Sequence, residues 1–292
     1  MSGIERRELV CENTSGEKIW SLVWLPSAAA GGARCPVVIF AHAMNSNHLS
    51  GNAWASGLAD KGYAVCCPDL RGARQSLSDG TPDEMTLTGE VADIEAVRDE
   101  ISRQAFADAN NVFLMGASLG GAASALAAAA SPGLTKGLIL LYPAFSLADE
   151  VMRQFPDPVT IPERATLGEG RIANAKETLG EVGGAFLREL VGMDIIGRAS
   201  AYAGPVLIIH GTSDEIVEPS WSVRAARAYP HATLELVSGE GHAFAGGALK
   251  FALKKVVGFL DEECDLADES GLDGDLNAGG AGALGGLGAM GL

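Results

Sequence analysis

The sequence predicts an α/β fold in which a mostly parallel central sheet is covered by helices on both faces. Three observations carry this. Short continuous apolar runs recur at Pro36–Ala41, Tyr63–Cys67, Val112–Met115, Leu138–Leu141 and Val206–Ile209, as strands buried on both faces require. Helical patterns fall between the runs, and such alternation joins parallel strands by crossovers. Finally, 292 residues with 47% hydrophobic content supply the apolar surface for one large core.

The elements follow in chain order. Alternating apolar residues at Arg7–Cys11 and Ile19–Leu25 predict an opening antiparallel hairpin. After the strands at Pro36 and Tyr63, Val91, Ile94, Val97 and Ile101 stand three, three and four apart, on one helical face. The strand Val112–Met115 leads into an Ala-rich helix, Leu119–Ala130, stopped by Ser131-Pro132-Gly133. About 60 residues then separate Tyr142 from Pro205. A bare loop of that length does not suit a compact domain, so residues 144–203 are expected to form a cap or lid. Its first part is Pro-rich (Pro156, Pro158, Pro162), and its second, Ala175–Glu189, is expected to be helical. Ser220–Ala228 as helix, Thr233–Val237 as strand and Leu249–Leu260 as helix complete a domain spanning 1–260. Residues 261–292, acidic and then rich in Gly and Ala, are expected to be a disordered tail.

Charge and composition narrow the function. The formal net charge is −16, and half of it sits in 261–275, where eight acids occur without a base. Nucleic-acid binding and docking on an anionic membrane both need a basic face, so neither is expected. MSGIERRELVCENTS contains no apolar core of a secretory signal, and no apolar run has the length to span a bilayer. The five cysteines (Cys11, Cys35, Cys66, Cys67, Cys264) are odd in number and lack C-x-x-C spacing. They read as reduced thiols of a cytoplasmic protein. The sequence leaves the oligomeric state open, a homodimer included.

The chemistry centres on Gly116-Ala117-Ser118-Leu119-Gly120, a G-x-S-x-G motif set between a buried strand and an Ala-rich helix. In that context small residues let the chain turn sharply and expose a strained serine. A serine hydroxyl is a weak nucleophile without a base that is itself held by a carboxylate. Asp214 follows the strand at Val206, in His210-Gly211-Thr212-Ser213-Asp214, and His242 follows the strand at Thr233, in Ser238-Gly-Glu-Gly241-His242. All three residues thus fall at carboxyl ends of strands, where α/β sheets place ligands. Asp149 is the second candidate for the acid, and Glu215, beside Asp214, is expected to point elsewhere. Among the other histidines, His42 is expected to shape the loop after its strand and His210 to be a hydrogen-bonded structural residue. His48 and His231 are expected to be solvated. The oxyanion of an acyl-transfer intermediate needs two N–H donors: Leu119, directly after the serine, and one from His42-Ala43-Met44-Asn45.

At these residues the sequence resembles the α/β-hydrolase superfamily, and within it the small capped bacterial esterases of the cinnamoyl or feruloyl type. The resemblance runs from about Glu5 to Leu260 and is most specific at Gly116–Gly121, His210–Asp214 and Gly241-His242. It implies that the third residue of a His-Gly-aromatic loop, here Met44, supplies the second oxyanion donor. The family's glycine is Ala43 here, so Ala43 and Met44 both remain in view. A Gly-His-Gly-x-Ser turn common in such enzymes is replaced by Asp69-Leu-Arg71-Gly72-Ala73-Arg74-Gln75-Ser76. The expectation is a serine hydrolase that cleaves a small-molecule ester through an acyl-enzyme, with no cofactor and no metal. A peptidase and an acyltransferase share the same machinery, and Glu163, Glu169 and Glu177 could give a cap the acidity that an aminopeptidase needs. A non-catalytic binding module is the remaining class.

Overall fold

The computed structural model describes residues 3–167 and 181–272. Alternation at the start of the chain folds as β1 (Glu5–Glu12) paired antiparallel with β2 (Lys18–Leu25), and one turn of helix, α1 (Ser27–Ala30), follows. The wholly apolar run becomes β3 (Cys35–Ala41). Next comes α2 (Asn52–Ala59), a helix that the sequence reading did not include. It buries Trp54, Ala55, Leu58 and Ala59, one stripe at helical spacing. Then come β4 (Ala64–Pro68), α3 (Leu87–Ile101), β5 (Ala107–Ala117), α4 (Leu119–Ala130) and β6 (Gly137–Leu141).

After β6 the chain forms α5 (Leu147–Gln154), a small hairpin of β7 (Arg164–Thr166) and β8 (Glu181–Gly183), α6 (Gly184–Leu190) and α7 (Ile195–Ala199). It then re-enters the main sheet as β9 (Val206–Gly211), followed by α8 (Ser220–Ala228), β10 (Ala232–Val237) and α9 (Gly246–Leu272).

The eight-stranded sheet has the order β1-β2-β4-β3-β5-β6-β9-β10, antiparallel at β1–β2 and β2–β4 and parallel elsewhere. Its inner strands serve two cores at once. Val37, Ile39, Leu114, Leu138 and Ile208 face the side covered by α3, α4 and α8. Val38, Phe40, Phe113, Ile139 and Leu207 face the side covered by α2 and α9. This is why their sequences are continuously apolar rather than alternating. Because β4 and β5 lie on opposite sides of β3, the strand order reverses there. The carboxyl ends of β3 and β5 therefore border the crevice where such sheets bind ligands.

Two expectations need correction. The helix expected over Ala175–Glu189 is confined to α6, because Val182 pairs with Ala165 in the hairpin and Gly183-Gly184 weaken a helix there; residues 175–180 lie outside the described residues, as do Glu169 and Glu177. The segment from Asp261 to Leu272, expected to be disordered, continues α9. Val256, Leu260 and Cys264 repeat every four residues against the core, and the Tyr63 hydroxyl bonds the Asp261 carboxylate, so the helix face extends past residue 260. Residues 273–292 lie outside the described residues.

The excursion between β6 and β9 is fastened to the body by polar contacts. Glu189 of α6 accepts from the Leu87 N–H (2.7 Å), the Thr88 N–H (3.0 Å) and the Thr88 hydroxyl. It therefore caps the N-terminus of α3, where a carboxylate also meets the positive end of the helix dipole. Arg164 of β7 pairs with Asp83 (Nε–Oδ1 2.7 Å). A Cβ on Gly183 would fall 2.3 Å from the Asp83 carbonyl oxygen, so the hairpin sits tightly on that loop. Glu189→Ala should lower unfolding stability by about 1–2 kcal/mol, as loss of a helix cap does; urea denaturation measures it, and an unchanged midpoint would refute the anchoring role.

Candidate active site

The turn between β5 and α4 is the sharpest feature of the sheet's carboxyl edge. Ser118 has φ 52° and ψ −116°, a left-handed backbone that costs energy in any residue with a Cβ. Backbone bonds hold it: its N–H donates to the Leu141 carbonyl (3.0 Å), and its own carbonyl accepts from Ala144 (2.9 Å), Gly121 (3.0 Å) and Ala122 (3.2 Å). The glycines of the motif are needed for space. A Cβ on Gly116 would stand 2.2 Å from the Gly120 carbonyl oxygen, and one on Gly120 would stand 2.4 Å from the carbonyl oxygens of both Ala41 and His42. The end of β3 thus lies directly against the first turn of α4. Leu119 opens that helix, so its N–H has no intrahelical acceptor.

The same contact delivers the loop after β3. Ala43–Ser46 is a turn closed by the Ser46 N–H on the Ala43 carbonyl (3.2 Å), with Asn45 at φ 57°. His42, 2% exposed, fixes its base. Its Nε2 accepts from the Leu70 N–H (3.1 Å), so Nδ1 carries the proton and donates to the Ala43 carbonyl (2.9 Å). Burial pushes the His42 pKa down and keeps the ring neutral. Met44 is half-buried beside the core. His48, expected to be solvated, is instead a tether. Its Nδ1 and backbone N–H both reach Asp69 Oδ1 at 2.8 Å, and its ring lies edge-on to Trp20. A buried carboxylate on the neighbouring loop captures it, which local polarity in the sequence does not reveal. His231 is exposed.

Asp214 and His242 meet at the next strand ends. His242 Nδ1 is 2.7 Å from Asp214 Oδ2, so Nδ1 donates and Nε2 of the neutral ring keeps its lone pair. The loops that carry them touch: Ser213 N–H donates to the Glu240 carbonyl (2.9 Å), and a Cβ on Gly211 would lie 2.3 Å from that same oxygen. The His242 ring is edge-on to Tyr142 at 4.7 Å, and Tyr142 directly follows β6, whose Leu141 holds the Ser118 N–H. Asp149 and Glu215, the other acids considered, are both exposed.

The Asp214 side chain is fully buried yet fully satisfied. Oδ1 accepts from the N–H groups of Ile216 and Val217 (2.9 Å each), and Oδ2 accepts from His242 and from His210 Nε2 (3.0 Å). Burial by itself would raise this carboxyl. The hydrogen bonds from His210 and His242, the His242 charge and the Val217 N–H outweigh it and hold Asp214 well below the usual carboxylate range. Tyr142, Ser222 and the contact of His210 with Asp214 are not legible in the sequence. Only the four-residue spacing of His210 and Asp214 hinted at the last, and it has no helical or strand period to make it legible.

A cleft of about 280 Å³ opens between α5, residues 192–196 and α8, lined by Phe145, Asp149, Met193, Trp221 and Arg224, and none of Ser118, Asp214 and His242 lines it. Arg224 stacks over the Trp221 ring at 4.2 Å. Among the described residues no group of three or more His, Cys, Asp or Glu could hold a metal ion, and no helix is long and apolar enough to cross a membrane.

A mostly parallel sheet with this strand order and a serine on a strained strand-to-helix turn is the arrangement of the α/β-hydrolase fold, and the chain has that fold. The family model of serine aminopeptidase, S33, matches residues 32–167. Solved structures extend the likeness. Ferulic acid-bound Est1E from Butyrivibrio proteoclasticus superposes with a TM-score of 0.75 at 24% identity, covering 88% of this chain and 100% of that one. GrgF, an alpha/beta hydrolase from Penicillium sp. sh18, gives 0.72 at 14% identity over 89% and 99%. A monoacylglycerol lipase from Paleococcus ferrophilus gives 0.62 at 17% identity over 89% and 99%. No curated protein matches the sequence.

Two outcomes follow from this geometry. Gly120→Ala should destabilise the protein by about 1–3 kcal/mol through overpacking against β3, and thermal unfolding measures it. Asp214, its carboxyl held low when folded, contributes stability that is present above the ordinary carboxylate range and fades as pH falls through the folded value. The stability gap between wild type and Asp214→Asn in urea should therefore be full at pH 7 and narrow below about pH 4, the unperturbed Asp region; a gap independent of pH would contradict the assignment.

Proposed function

We propose that the chain is a serine hydrolase that cleaves carboxylic esters of small molecules through an acyl-enzyme, with Ser118, His242 and Asp214 as nucleophile, base and acid. The observation that carries this is the His242–Asp214 bond of 2.7 Å at the same sheet edge as the strained Ser118. His242 Nε2 takes the proton of the Ser118 hydroxyl as its oxygen attacks the ester carbonyl, and Asp214 stabilises the imidazolium that forms. The N–H of Leu119, with that of Met44 on the loop pinned by His42, receives the negative oxygen. Collapse expels the alkoxide, which takes its proton from His242. Water, activated by the same nitrogen, then releases the acid from Ser118. No step calls for a metal or an organic cofactor.

The structure of Est1E holds ferulic acid, so hydroxycinnamoyl esters head the substrates to test. The match to a serine aminopeptidase family favours a second reading, cleavage of an aminoacyl amide. That reading needs an acidic pocket for the substrate amine, and Glu163, one of the acids available for it, is paired with Arg188 at 3.4 Å.

Ser118→Ala should reduce hydrolysis of p-nitrophenyl acetate by about 10⁴-fold or more, the loss typical of a missing triad nucleophile. Activity retained at the wild-type rate would overturn the proposal. A parallel panel of short-acyl, long-acyl and hydroxycinnamoyl esters with an aminoacyl p-nitroanilide separates the two readings. Turnover of the anilide alone would favour the peptidase.

A further inference from the structure

Two imidazoles, not one, converge on Asp214 Oδ2. His210 lies at the end of β9, 0% exposed, and its Nε2 is 3.0 Å from Asp214 Oδ2 and 3.0 Å from the Val217 carbonyl oxygen. Both neighbours are acceptors, so Nε2 carries the proton. Nδ1 is 2.6 Å from the hydroxyl of Ser222, also 0% exposed, which donates to it from the first turns of α8. The ring is thereby clamped at both nitrogens, in one tautomer and one orientation. The result is a buried line of donors, Ser222 to His210 to Asp214, that ends on the oxygen that also holds His242.

We propose that His210, locked by Ser222, is a positioning residue of the catalytic site: it fixes the Asp214 carboxylate and limits how strongly Asp214 pairs with His242. The inference rests on the triad reading above. A carboxylate oxygen shared between two N–H donors offers each less charge than it would offer one alone. Take away His210, and the carboxylate turns its charge to His242, stabilising the imidazolium and making the base harder to free. Other groups around the pair are few. Tyr142, from the end of β6, stands edge-on to His242, its phenol pushed up by burial and then by the Asp214 charge. Ile216 and Val217 contribute only backbone N–H groups, and Glu215 is exposed.

The test is the pH dependence of the rate at which a fluorophosphonate probe labels the protein, which needs the triad but no knowledge of substrate. In His210→Met the acid limb should move to higher pH by about half a unit or more, the direction set by losing a competing donor. Below the limb this appears as labelling about threefold slower than wild type or worse. His210→Gln, whose amide nitrogen reaches the position of Nε2, should keep the limb at the wild-type value. A purely structural role would lower labelling equally at every pH and leave the limb in place, and that result overturns the proposal, as does a Gln variant shifted as far as Met. Should His210→Met fail to fold, Ser222→Ala decides: unlocking the ring should move the limb in the same direction, and an unmoved limb refutes the proposal. Wild-type protein that is not labelled, or labelled independently of Ser118, would instead sink the triad reading itself.

Discussion

A single buried carboxylate organises the functional edge of this molecule. Asp214 is removed from water, and a lone carboxylate in that place would protonate rather than remain charged. It stays ionised because four N–H groups converge on its two oxygens, two from the backbone of its own loop and two from imidazoles. Each donor is held in turn. The loop N–H groups are fixed by the tight turn after β9, His210 by Ser222 and the Val217 carbonyl, and His242 by the contact of its loop with Gly211. Full satisfaction is what makes a buried polar network rigid instead of costly. The charge at the end of β9 and the orientation of His242 beyond the end of β10 are therefore one structural fact.

The Ser118 turn is organised by close packing rather than by charge. Ser118 keeps a backbone conformation that a free chain would abandon, and it does so because Gly116 and Gly120 let α4 press on β3 and β5. That approach brings the first turn of α4 against the end of β3, and the turn after β3 is itself held by neutral His42 and by the His48–Asp69 pair. Strain at the serine is offset by two cores that clamp the sheet from both faces. The excursion carrying α5 to α7 is joined to this frame at the N-terminus of α3, so the cleft beside Trp221 has one wall on the frame and another on the excursion.

Much of this was legible in the chain. The strands with continuous apolar runs declare themselves because burial on both faces removes any polar alternation, and Leu119–Ala130 and Ser220–Ala228 carry helical signals strong enough to mark their ends. Within the site, Ser118 and Asp214 could be picked out because each follows a buried strand, and His242 because it follows the half-buried last strand of the sheet. What escaped was set by tertiary contact. The helix Asn52–Ala59 is short and Gly-containing, the small hairpin depends on an approach of Gly183 to Asp83, and α9 continues because Cys264 stays on the core face. His48 looked like a surface residue since its partner Asp69 is 21 positions away, and the tie between His210 and Ser222 crosses from a strand to a helix. Pairings of that kind have no period for a sequence to display.

In the proposed reaction Ser118 carries the acyl group during turnover. Mass analysis of peptides from protein quenched within the first turnovers on an excess of p-nitrophenyl ester tests it directly. An initial burst of p-nitrophenol is expected, together with the acyl mass on the peptide that contains Gly116–Gly120. Steady hydrolysis with no acyl adduct on that peptide, or an adduct on another residue, would contradict it.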